Sequence, residues 1–151
     1  MDLSGQKKYT PEEQFSPLIK ELMNEGNYIE QRITNKLLKG VVNKAILKSA
    51  KKETYESDIK KNVERTVKAM ERGKDIIIQG HLSSDGYLGI PDILVKVPGK
   101  SKFGDYHYVV KDIKRARAAK GEFILQICFY SELLSKVQDV LPENAYVILG
   151  D

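Results

Sequence analysis

Residues 121–142, GEFILQICFYSELLSKVQDVLP, limit the fold more than any other stretch of the chain. Wound as a helix, they are apolar around most of the circumference, so neighbouring elements must cover them on more than one side. Runs of strand character flank them, YHYVVKDIK at 106–114 and AYVILG at 145–150. A buried helix between two strands is a crossover connection within one sheet. The expected class is therefore α/β, with helices on the faces of a sheet.

The rest of the chain supplies the other layers. Thr10-Pro-Glu-Glu13 is a capping box with proline at the first helical position, and Phe15, Leu18, Ile19, Leu22 and Met23 follow at helical spacing. That helix runs to about Gly26. Asn27 caps a second helix with Ile29, Ile33 and Leu37 on one stripe before Gly40, or the first helix continues through it with a kink. A third helix opens at Ser57 or Asp58, carries Ile59, Val63, Val67 and Met70 on one face, and stops at Gly73. The period then changes to short β runs at 75–82, 87–97 and 106–114, separated by SSDG and PGKSKFGD. These form a three-stranded meander, which the crossover strand extends into a mixed sheet. Pro91 within the second run marks an edge position or a bulge.

With 151 residues, 41% hydrophobic and 30% charged, the chain is expected to form one soluble domain over 1–151. No apolar run approaches the roughly 20 residues of a membrane helix, and MDLSGQKKYTPEEQ lacks the apolar core of a secretory signal, so a cytoplasmic setting is expected. A single cysteine, Cys128, excludes an internal disulfide and an iron–sulfur cluster, and its apolar surroundings make it a small buried hydrophobe. The net charge is +4, with five basic residues against one acid between Lys111 and Lys120, and a second basic stretch at Lys44, Lys48, Lys51 and Lys52. The balance is compatible with a nucleic-acid partner.

The third β run carries the chemistry. Alternation puts Val110, Asp112, Lys114 and Ala116 on one face, and Val109, Lys111, Ile113 and Arg115 on the other. A lone buried charge is costly, so Asp112 and Lys114 on one face need an object to act on. The hairpin brings Asp92, 20 residues earlier, onto the adjacent antiparallel strand. Two carboxylates at close quarters repel unless a cation lies between them, and hard oxygen donors without a cysteine or histidine cluster favour Mg²⁺ or Mn²⁺ over zinc. Lys114, about 7 Å along the strand from Asp112, can reach a water or phosphate held at that cation. His81 and His107 are satisfied strand residues outside the site. No Gly-rich phosphate loop or nucleophile elbow supports a small-molecule enzyme.

GIPDILV, YVVKDIKRA and LQICFYSELL resemble the second, third and Gln-xxx-Tyr motifs of the RecB-like branch of the PD-(D/E)XK nuclease superfamily. EGNYIEQRI resembles its Gly-xxx-Glu first motif, and MERGKDIIIQGHL and the terminal YVILGD match its flanking pattern, so the resemblance covers about residues 18–151. It implies a restriction-endonuclease-like fold and metal-dependent phosphodiester hydrolysis on DNA, in processing or repair. It further implies that Glu30, Asp92, Asp112 and the carbonyl of Ile113 are metal ligands. Lys114 is the implied catalytic lysine, alongside Asp92 and Asp112, and Gln126 and Tyr130 are the helix motif. Lys111, Arg115, Arg117 and Lys120 are expected to grip the DNA backbone without reading sequence. Some relatives bind an iron–sulfur cluster through four cysteines, which this chain lacks. Many have further segments, which makes a helicase or other domains of a longer polypeptide expected partners. The alternative is a non-catalytic nucleic-acid-binding module of a helicase or repair assembly, which would have no use for clustered carboxylates facing a polyanion.

Overall fold

The structure, a computed structural model, describes residues 17–47 and 55–150. Its elements in chain order are α1 (Pro17–Leu38), β1 (Lys44–Ile46), α2 (Tyr55–Glu71), β2 (Ile76–Ile78), β3 (Leu82–Ser84), β4 (Tyr87–Gly89), β5 (Ile93–Ser101), β6 (Gly104–Lys114), α3 (Gly121–Gln138) and β7 (Tyr146–Leu149). The capping box at Thr10 and the basic residues Lys48, Lys51 and Lys52 lie outside the described residues.

Five strands form one mixed sheet in the order β1-β2-β5-β6-β7, and β3 and β4 form a separate hairpin. β6 is antiparallel to β5 and parallel to β7, as a crossover through α3 requires. The fold is α/β, a mixed sheet flanked by helices. Strand alternation divides its side chains between two cores. Tyr108 and Val110 of β6 pack with Met70 of α2 and with Leu133 and Leu134 of α3. Ile113 packs with Ile78 and Ile93 on the opposite face, under the half-buried Ile33 of α1. One face therefore carries α2 and α3, and the other carries α1. Contact at the end of β7 is close: a Cβ on Gly150 would stand 2.9 Å from both Ile29 and Ile33.

Several boundaries differ from expectation. Of the two courses left open for it, α1 takes the continuous one and passes through Gly26 and Asn27 as one helix instead of stopping at Gly26. A mid-helix glycine costs about 1 kcal/mol, which burial of Ile29 can offset. Lys44 belongs not to a loose basic stretch but to edge strand β1, which pairs in parallel with β2. The run at 75–82 divides into β2 and β3 around Gln79, whose φ is +56°, and the run at 87–97 divides into β4 and β5 around Pro91. Pro91 has no N–H to give to a ladder, so it interrupts the meander where a side chain must be re-aimed; β5 itself is central, not an edge. The stretch 98–105 is mostly strand, with Gly99 at φ +132° absorbing a register shift between Pro98 and Ser101. α3 is buried on one side only. Ile127, Ser131, Leu133, Leu134 and Gln138 face inward, whereas Ile124, Leu125 and Phe129 are exposed, and so is Cys128. The expected buried cysteine is thus a surface thiol, because the described layers cover a single face of the helix. No described helix is long and apolar enough to cross a membrane.

Candidate active site

The break at Pro91 places the first carboxylate. Ile93 stands opposite Lys111, so Asp92, one residue before β5 begins, stands opposite Asp112. Asp92 Oδ2 accepts the Ile113 N–H at 2.7 Å, and the Asp92 N–H points at Asp112 Oδ1 at 3.4 Å. Side chains thus take over the ladder where the strand pairing ends. The N–H and C=O of a strand residue point to the same side, so Ile113 directs its carbonyl to the edge that holds Asp92. Asp112 is 4% exposed, and Lys114 Nζ lies 3.0 Å from its Oδ2. The lysine also sits 5.6 Å from the centre of the Phe123 ring, at the start of α3. The shared face expected from alternation is present: Asp112 and Lys114 lie on the face that carries α3, at one end of the sheet.

Glu30 comes to this end from α1 and is linked to it by a residue to which the sequence gives little prominence. Gln79 Nε2 donates to Glu30 Oε1 at 3.1 Å and to Asp92 Oδ1 at 3.2 Å. The only cue in the sequence is a long polar side chain in the apolar run DIIIQG. Its backbone is equally engaged: the Gln79 N–H donates to the Asp92 carbonyl at 2.9 Å, and the Gln79 carbonyl accepts from His81 Nδ1 at 2.8 Å. His81 is buried, and its ring nitrogen is held by this bond. His107 is bonded to the Gly99 carbonyl, away from the site.

Burial first, and then the charge of Asp112, push the Asp92 carboxyl up to about 8 against the opposing pull of the Ile113 N–H. Glu30 is raised for the same two reasons in the same order, and Lys114 and Gln79 pull it back. Tyr130 is also raised, by burial and then by Asp112, which puts its hydroxyl within the field of the carboxylates. Gln126 Nε2 donates to that hydroxyl at 2.9 Å, so the two motif residues of α3 act as one unit. Gly89 lets the Tyr130 ring approach, since a Cβ there would stand 2.8 Å from it.

The basic residues do not converge as a set. Lys111 points to the other face and lies over the Tyr146 ring, and Arg115 pairs with Glu25 of α1 at 2.7 Å. Arg117 and Lys120 are exposed on the segment between Lys114 and α3.

Among the described residues no three Asp, Glu, His or Cys side chains converge closely enough to form a ready metal cage. At this site the reason is visible: the Gln79 amide stands between Glu30 and Asp92, and Lys114 engages Asp112. The donors are carboxylate, carbonyl and amide oxygens around a surplus of negative charge that is only partly compensated. That donor set fits a hard divalent cation. Comparison with protein-family models, curated proteins and solved structures gives no match for the chain.

Proposed function

We propose that the protein is a Mg²⁺- or Mn²⁺-dependent deoxyribonuclease of restriction-endonuclease-like fold and RecB-like kind, acting in DNA processing or repair. The observation that carries this reading is the juxtaposition of Asp92 and Asp112 at one sheet end, with Lys114 Nζ 3.0 Å from Asp112 Oδ2. Structural ion pairs rarely place two carboxylates face to face for a single lysine, because burying unbalanced charge is unfavourable.

Asp92, Asp112, Glu30 and the carbonyl of Ile113 would hold the cation. When bound, it supplies Lewis acidity, lowering the pKa of a water and offsetting charge that builds on the phosphate. Lys114, braced by Asp112 and Phe123, orients the attacking water and neutralises a non-bridging phosphate oxygen. Tyr130, fixed by Gln126, lines the same end of the sheet. Arg117 and Lys120 hold the flanking backbone.

The test is cleavage of linear and circular DNA with Mg²⁺ or Mn²⁺, alongside Asp112→Ala and Lys114→Ala. Cleavage is expected to require the metal and to be lost in both variants, which remain folded. Activity that persists in EDTA or in Asp112→Ala overturns the mechanism. DNA binding without Mn²⁺ binding or cleavage would instead identify a non-catalytic nucleic-acid-binding module.

A further inference from the structure

Gln79 is held with more care than a peripheral polar residue requires. It occupies the left-handed region at φ +56°, uncommon for a residue with a Cβ. Three elements fix it there. Its N–H is bonded to the Asp92 carbonyl, and its C=O accepts from His81 Nδ1. His81 is anchored in turn, its N–H donating to Thr66 Oγ1 at 2.8 Å, and that hydroxyl donates to the Asn62 carbonyl of α2 at 2.7 Å. Between Gln79 and His81, Gly80 lies so close to β5 that a Cβ would stand 2.7 Å from Leu94 Cδ1. The result is a side chain delivered to one place, with its terminal nitrogen 3.1 Å from Glu30 Oε1 and 3.2 Å from Asp92 Oδ1.

Those separations have a second meaning. In an octahedron with metal–oxygen bonds of about 2.1 Å, adjacent ligand oxygens stand about 3.0 Å apart. The terminal atom of Gln79 therefore stands at a ligand-to-ligand spacing from both carboxylates. Half a turn about the last side-chain bond exchanges Nε2 and Oε1, and that torsion is soft and nearly two-fold. An amide can thus donate to two carboxylates without a cation and present a hard oxygen when one arrives.

We propose that Gln79 is a further ligand of the divalent cation, its amide bridging Glu30 and Asp92 until the ion enters and then turning to offer Oε1. The inference rests on the metal-site reading above and deepens it. The left-handed turn at 79, the close-packed glycine at 80 and the His81 anchor then serve to aim that amide.

Mn²⁺ titration tests it, read from the electron paramagnetic resonance of the free ion, on the whole chain and on Gln79→Leu and Gln79→Glu. Melting temperatures without metal are measured on the same preparations. Gln79→Leu is expected to bind Mn²⁺ at least tenfold more weakly, while Gln79→Glu, with an added charge, binds at least tenfold more tightly and melts lower without metal. Equal or tighter binding by Gln79→Leu overturns the ligand role and leaves Gln79 as a strut between carboxylates. If Gln79→Leu does not fold, Gln79→Glu decides: unchanged affinity overturns the proposal. No Mn²⁺ binding by the unmodified protein removes the metal site itself, whereas binding that ignores both substitutions removes Gln79 alone.

Discussion

Between about pH 4 and pH 8 the folded chain holds a proton on Asp92 that the unfolded chain has released, because burial and Asp112 raise its carboxyl to about 8. The folded state binds more protons across this window, so stability is highest below the unfolded value and is lost as pH rises toward 8. One such group gives a slope of up to about 1.4 kcal/mol per pH unit. Asp92→Asn keeps the shape and removes the charge. It is expected to melt higher than the unmodified protein at pH 8, to match it near pH 4, and to flatten the dependence between. Melting curves at half-unit steps in metal-free buffer check this, and an unaltered slope in the variant would assign the titration elsewhere. On the proposed metal-site reading a divalent cation would take the place of that proton, and its affinity should rise with pH over the same window. Residue chemistry alone gave the acids at 92 and 112 and the lysine at 114. It did not give Gln79, because a glutamine in a strand-like run has no periodic signature and its value lies in a backbone angle.

At the scale of elements, α3 does two jobs with two glutamines of opposite character. Gln138 is fully buried and acts as a surrogate strand residue for β6. Its Oε1 accepts the Tyr108 N–H at 2.8 Å, and its Nε2 donates to the carbonyls of Tyr108 at 3.0 Å and Val140 at 3.2 Å. β7 pairs only with residues 111–114, so Tyr108 lies beyond its reach. Gln138→Leu leaves that N–H and C=O unpaired in the core and should destabilise the protein by about 3 kcal/mol in denaturant titration. Gln126 is half-buried and spends its amide on the Tyr130 hydroxyl. Gln126→Leu should leave the melting temperature unchanged while lowering single-turnover cleavage at least about tenfold, the scale of about 1.4 kcal/mol in the transition state. A destabilised but fully active Gln126→Leu would make that residue structural.

At the scale of the molecule, the DNA of the proposed reaction would meet the end of the sheet, where Lys114, Arg117 and Lys120 follow one another into α3. Binding should weaken steeply with salt, since each phosphate that a basic side chain neutralises steepens the fall of log affinity with log salt by about 0.9. The geometry ranks the contributions. Arg117→Ala and Lys120→Ala should each reduce the slope, Arg115→Ala less because Glu25 already pairs with it, and Lys111→Ala least because it lies over Tyr146 on the other face. Fluorescence anisotropy at four or more KCl concentrations measures each slope, and equal effects at all four positions would mean that DNA covers both faces of β6.

Periodicity by itself determined the α/β class, the crossover through α3 with parallel β6 and β7, the antiparallel pairing of β5 with β6, and the common face of Asp112 and Lys114. These follow from local rules: side-chain alternation, helical stripes and turn residues act over a few positions and survive any packing. The tertiary structure decided where those rules give way. Gly26 does not end α1, because the helix buries Ile29 over the end of β7. Ile124, Leu125, Phe129 and Cys128 are exposed, because hydrophobicity states what a side chain prefers and not which layers are there to cover it. Glu30 is joined to Asp92 by hydrogen bonds through Gln79, and Gln79 is aimed by a left-handed turn anchored through His81 on α2. Each of these depends on residues distant in the chain meeting at one end of the sheet, which no local pattern encodes.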